Sequence, residues 1–223
     1  MTEAVSIKEL VLHTSDLKGT ASFYGDLLGF PAQWDKNKNL RIGIGWTDLV
    51  FRSSESGMPF YHFAINVPAN RFEVAVDWIR KRVPLLEEDG EVIHEFSDWN
   101  AKGVYFHDPS GNIVEFIARD NLPEGDEPQQ GFSAKELLCV SEIGWPMKEP
   151  RKALDFFRLP VWRDYGSFLA MGAETGMVVV CQEGRGWKPT RRAAEIFSIE
   201  LSLEVNGREI NYVTPSDDSG KTL

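Results

Sequence analysis

The chain has 223 residues, 42% of them apolar and 26% charged, enough to bury a substantial core and to exclude wholesale disorder. Its 34 acidic against 24 basic residues leave a net charge of −10, which argues against binding a nucleic-acid backbone and against docking on an anionic membrane. No stretch approaches the roughly 18 apolar residues of a spanning helix. The N-terminus lacks the basic start and apolar run of a secretory signal. Two cysteines, Cys139 and Cys181, make neither a disulfide framework nor a thiolate zinc site, so a reduced, cytoplasmic setting is expected.

In chain order, residues 6–14 alternate like a strand, Asp16 is placed to cap a helix, and 17–28 carries Leu17, Ala21, Tyr24 and Leu28 on one helical face before Gly29 ends it. Short strands are expected at 31–35, 40–46 and 48–54. The order then repeats: a strand at 60–67, a helix at 69–82 with Phe72, Val76 and Ile79 on one side, and strands at 92–96, 103–107 and 112–118. Asp108-Pro109-Ser110-Gly111-Asn112 has the composition of a tight turn between the last two. An acidic, Pro-containing stretch over 119–135 is expected to be a linker.

A third copy follows. Shifting the first unit by 133 positions places Glu9 on Glu142, Asp16 on Glu149, Phe23 on Phe156 and Tyr24 on Phe157 without a gap. Strand-like runs follow at 168–172 and 177–181, and the alternating run 197–205 resembles the first strand of a fourth copy that stops short. Residues 209–213 are expected to form a return strand and 215–223 a frayed tail. The fold class is therefore α+β, built from tandem βαβββ modules that must pack on one another: two modules in 1–118, a degenerate third and a truncated fourth in 136–214.

Three residues draw attention as chemistry. Glu9 and His62 occupy equivalent positions on the leading strands of the first two copies, and Glu115 is a carboxylate inside an apolar strand that needs a partner. A cation is one partner for Glu115 and an Arg or Lys side chain another; Glu9 also fits a strand edge, and His62 a hydrogen-bonded core position. His13 shares the face of Glu9 four residues on, as an alternative ligand or an acid/base group. His94 and His107 are expected at the surface or in a turn. The segment Arg185 to Arg192 is locally basic and would suit either solvent or an anionic substrate group.

Leu27-Leu28-Gly29-Phe30, Tyr61-His62-Phe63-Ala64 and the run from Phe106 to Glu115 resemble the vicinal oxygen chelate superfamily, which includes glyoxalase I, fosfomycin-resistance transferases, extradiol dioxygenases and bleomycin-binding proteins. The resemblance implies curved, glyoxalase-like sheets around one divalent metal ion (Mn, Fe, Zn, Ni or Co), with Glu9, His62 and Glu115 as ligands and Glu115 and His13 as catalytic groups. It departs from the common pattern at Glu9, where histidine is more usual, and it implies a small-molecule substrate. Three functions stay open: a metal-dependent lyase, isomerase or transferase; an extradiol ring-cleaving dioxygenase; and a non-catalytic binding protein using Trp34, Trp46, Phe51, Trp99 and Tyr105. Related proteins also pair modules between chains, which implies a homodimer as one arrangement.

Overall fold

The protein is described by a computed structural model over residues 4–55, 57–124 and 131–214. The first module is β1 (Val5–Thr14), α1 (Leu17–Ala21), β2 (Ala32–Trp34), β3 (Leu40–Ile44) and β4 (Thr47–Ser53). Asp16 caps α1 by accepting a 2.8 Å bond from the Gly19 amide. The helix continues over Ser22–Leu27 with wider turns, the Leu28 amide reaching back five residues to the Phe23 carbonyl. The second module is β5 (His62–Val67), α2 (Phe72–Arg80), β6 (Leu85–Leu86), β7 (His94–Phe96), β8 (Ala101–His107) and β9 (Ile113–Arg119). The period of α2 buries Phe72, Ala75, Val76 and Ile79, and Trp78 stacks on Phe116 of β9. The third is β10 (Cys139–Met147), α3 (Ala153–Phe157), β11 (Val161–Asp164), β12 (Phe168–Ala173) and β13 (Gly176–Gln182). The fourth is only β14 (Glu200–Val205) and β15 (Arg208–Val213).

The strands form two sheets, ordered β15-β14-β1-β4-β3-β2 and β11-β12-β13-β10-β5-β9-β8-β6, with β7 also on β8. The modules therefore pair first with fourth and second with third, not first with second as the division at 118 implied. The reason lies in strand edges. Each leading strand already carries its own last strand in parallel on one side: β4 on β1, β9 on β5 and β13 on β10. One edge is left. In β5 it takes β10, and in β1 it takes β14, both antiparallel. Because the third module is complete, the second and third build a full cup, while the stub covers β1 with two strands. The expected linker also begins later than 119, since Arg119 is the buried last residue of β9; residues 125–130 of the linker and the 215–223 tail lie outside the described residues.

One apolar cluster spans both sheets, including Ile7, Leu10 and Phe51 from one and Phe63, Ile143 and Val178 from the other. The sheets are also stitched by Thr175, whose hydroxyl donates to the Val5 carbonyl at 2.7 Å. At Gly45 the backbone has φ +54°, and a Cβ there would lie 1.7 Å from the Leu138 carbonyl oxygen, so only glycine fits this turn against the approach to β10.

Asp108 ties the Asp-Pro-Ser-Gly-Asn turn to α1. Its carboxylate accepts from the amides of Ser110 and Asn112 at 2.9 and 3.0 Å, from Asn112 Nδ2 at 2.7 Å and from the Tyr24 hydroxyl at 3.0 Å. Asn112 and Tyr24 are fully buried, so removing the acceptor leaves their donors without water. Asp108→Ala is expected to cost about 3 kcal/mol, the sum of such orphaned groups. Urea unfolding measures it, and a loss below about 1 kcal/mol would show that the network adds little.

Candidate metal centre

His62 opens β5, Glu115 is the third residue of β9, and Glu142 is the fourth of β10. One donor atom from each lies within 4.8 Å of the other two, and all three residues are buried. The pleat explains their convergence. β5 and β9 run parallel with Ala64 opposite Glu115, so His62 and Glu115 project from the same face two positions apart. β10 is antiparallel to β5 with Glu142 opposite Ala64, and its register shifts between Val140 and Glu142. That bulge re-aims the strand just before Glu142. β1 carries a bulge at the equivalent place, between Ile7 and Glu9.

The structure brings together His62 and Glu115 from the expected set, but not Glu9 or His13. Both of those lie on β1 in the other sheet. Glu9 is 38% exposed and pairs with Arg41 at 2.9 Å, while Arg41 also holds Asp48 at 2.6 Å. His13 is half-buried, and its pKa is lowered by burial and then by Arg52. Register places Glu200 opposite Val11 as Glu142 stands opposite Ala64, and Arg52 grips Glu200 with both guanidinium nitrogens. In this first cup, two guanidiniums occupy the role that a cation would fill. Val50 stands in register where Glu115 stands in the second module, and Val179 does so in the third. The full cup thus offers three donors and one apolar position.

The donor chemistry fits a divalent ion. His62 Nδ1 faces the Ile113 carbonyl at 3.0 Å, which can only accept, so Nδ1 carries the proton and Nε2 is left as a lone-pair donor 3.7 Å from Glu115 Oε2. Burial holds the imidazole pKa below its ordinary value, favouring the neutral, ligating form. Burial, followed by the charge of Glu142, pushes the Glu115 carboxyl well above the usual range. Two buried carboxylates side by side repel, and a cation between them relieves that repulsion. Around them, Tyr105 stands opposite Glu115 on β8, and Gly103 leaves room for the carboxylate: a Cβ at 103 would sit 2.5 Å from Glu115 Oε1.

Arg119 is the residue that sequence reasoning missed. It sits on the same face of β9 as Glu115, four residues on, with its side chain fully buried and paired to Glu142. Its alternation with Glu115 and Ile117 was the available signal. Trp99 and Tyr105 line the cavity over the site, whereas Trp34 and Trp46 are exposed on the other sheet and Phe51 is core. His94 is buried against the Tyr105 ring, a correction to its expected surface position, while His107 is exposed beside the turn. Among the described residues, no helix is long and apolar enough to cross a membrane.

Residues 6–116 match the family model of the Glyoxalase/Bleomycin resistance protein/Dioxygenase superfamily. The chain belongs to that superfamily. Among solved structures, superfamily-like folds include a Bacillus subtilis protein described as a "putative dioxygenase", with TM-score 0.59 and 14% identity over 99% of this chain and 73% of that one. A glyoxalase I mutant from Zea mays matches with TM-score 0.56 and 14% identity over 92% and 75%. At that identity, the likeness extends to the fold alone. The comparison with curated proteins found no match.

Proposed function

We propose that His62, Glu115 and Glu142 hold one divalent metal ion, and that this superfamily member is a metal-dependent enzyme of glyoxalase-like type, a lyase, isomerase or transferase acting on a small, oxygen-rich molecule. The observation that carries this reading is the meeting of one imidazole and two carboxylates, from three strands of two modules, inside a buried cup. Bound there, the metal would act as a Lewis acid, holding two adjacent substrate oxygens and stabilising negative charge that develops on them. The chain's own groups set the conditions. His62 keeps its proton on Nδ1, Tyr105 packs opposite Glu115 on β8, and Val179 leaves one side of the site free of protein ligands. Trp187, 4% exposed and 5.1 Å from the imidazole ring, keeps water from the His62 side.

The donor set weighs against ring cleavage, because iron-dependent oxygen chemistry favours two imidazoles and one carboxylate. Glu142 occupies the place of a second imidazole. A purely binding role would leave Arg119 as the counter-charge for both buried carboxylates, since among the described residues Glu115 enters no ion pair with an Arg or Lys.

Titration of metal-free protein with Mn²⁺ tests the proposal. A single ion per chain is expected, with proton release, since the metal takes the ionised form of a carboxyl whose pKa is raised. Affinity should therefore rise with pH until that carboxyl is ionised in the free protein. Substoichiometric uptake, or affinity that falls as pH rises, would count against the site.

A further inference from the structure

We propose that Arg185 forms a carboxylate subsite in the cavity above the metal centre, and that the substrate is a flat, aryl-bearing acid offering two adjacent oxygens to the metal and its carboxylate to Arg185. This rests on the reading of His62, Glu115 and Glu142 as metal ligands.

The cavity has a volume of about 420 Å³ and is lined by the three donors and by Arg185 on the loop after β13. Arg185 is half-buried, and its guanidinium carbon lies 4.7 Å from the centre of the Phe168 ring. Among the described residues it enters no ion pair. Its cationic neighbours all have partners. Lys188 and Arg191 share Glu88 at 3.3 and 2.6 Å, Arg119 holds Glu142, and Arg192 bonds the Gly111 carbonyl while lying over Phe60. The acidic rim residues Glu95 and Asp98 are exposed to solvent, and neither pairs with Arg185. A guanidinium held partly out of water without a counter-charge is poised for an anion.

The loop holds that group in place before any ligand arrives. The Arg185 amide donates to the Gln182 carbonyl at 3.1 Å, and its carbonyl accepts from the Ala194 amide at 2.7 Å. Two residues on, Trp187 packs over Gly144, where a Cβ would approach its ring to 2.7 Å. Such pre-organisation reduces the ordering cost of binding. The charge balance points the same way: a divalent ion and Arg119 together exceed the two carboxylates, so Arg185 adds to a site already positive when loaded.

The shape selects within the anions. The guanidinium, lying over the Phe168 ring, carries a planar fork of N–H donors that matches a planar pair of oxygens, which is carboxylate geometry. Trp99 stacks on Tyr165 with rings 8° from parallel, and Tyr165 stacks on Phe168 at 4.7 Å. These rings give the cavity an aromatic wall suited to a flat body.

Binding of catechol, 3,4-dihydroxybenzoate and 3,4-dihydroxybenzamide to Mn²⁺-loaded protein, followed by quenching of tryptophan fluorescence, separates the contributions. All three present the same adjacent oxygens, and only the benzoate carries the charge. The benzoate is expected to bind about tenfold tighter than the amide, the gain of a charge-assisted pair. In Arg185→Gln that ratio should fall to near one, and in Arg185→Lys, which keeps the charge and loses the fork, to an intermediate value. A ratio near one in the unaltered protein, or one that survives Arg185→Gln, would overturn the subsite. The same benzoate-to-amide ratio in metal-free protein reads Arg185 alone. If catechol binding is indifferent to Mn²⁺ while the ratio still depends on Arg185, the metal reading falls and the subsite stands.

Discussion

Glu142→Gln is expected to remove stoichiometric metal binding, whereas Glu9→Gln leaves it intact. The two residues are repeat-equivalent by sequence and follow equivalent bulges, yet their surroundings differ. Glu142 is 5% exposed and within reach of both His62 and Glu115. Glu9 is more than a third exposed and lies in the other sheet, paired with Arg41. An amide keeps the size of the side chain and loses the charge that a hard cation needs. Since outer partners of metal ligands alone are worth about 10–100-fold in affinity, losing a charged ligand should weaken binding by about a hundredfold or more. Dialysis against Mn²⁺ followed by elemental analysis measures this. Glu115→Gln should behave like Glu142→Gln, and Glu200→Gln like Glu9→Gln. Retention of metal by Glu142→Gln with loss in Glu9→Gln would move the centre to the other sheet.

The contrast shows what local pattern can reveal. Alternation, capping at Asp16 and the Asp108 turn were legible because each depends on neighbours within a few residues. The equivalence of Glu9, His62 and Glu142 was legible as well, through the shift that superposes the modules. Which leading strand lies beside β5 was not. The first and third modules are both complete, so either leading strand could have brought a full set of strands to β5, and the repeat pattern does not distinguish β1 from β10. Glu142 displaced Glu9 although both fit the repeat. Arg52 was invisible as a substitute for a metal for the same reason, because its partner Glu200 comes from the fourth module, whereas Arg41 meets Glu9 across strands of the first module. The resemblance implied the candidate positions, and topology decided which strands brought them together.

Arg119→Met should destabilise the metal-free protein by about 3–5 kcal/mol, the usual cost of removing one partner from a buried ion pair. The side chain of Arg119 is fully buried, and its Nε also bonds Asn66 Oδ1 at 3.3 Å. Without it, Glu142 loses its ion-pair partner among the described residues, and Glu115, whose carboxyl burial and Glu142 already push upward, loses the relief that Arg119 gives. Two observations separate this electrostatic cost from simple loss of packing. Adding Mn²⁺ should restore much of the lost stability, because the ion supplies the missing charge and binds only the folded form. Combining Arg119→Met with Glu142→Leu should also recover most of it, since removing both partners leaves no orphaned charge. Thermal unfolding with and without Mn²⁺ reads both effects. If the single variant is as stable as the parent, or if metal stabilises it no more than the parent, then Arg119 is not the counter-charge that lets the cup hold two carboxylates while empty of metal.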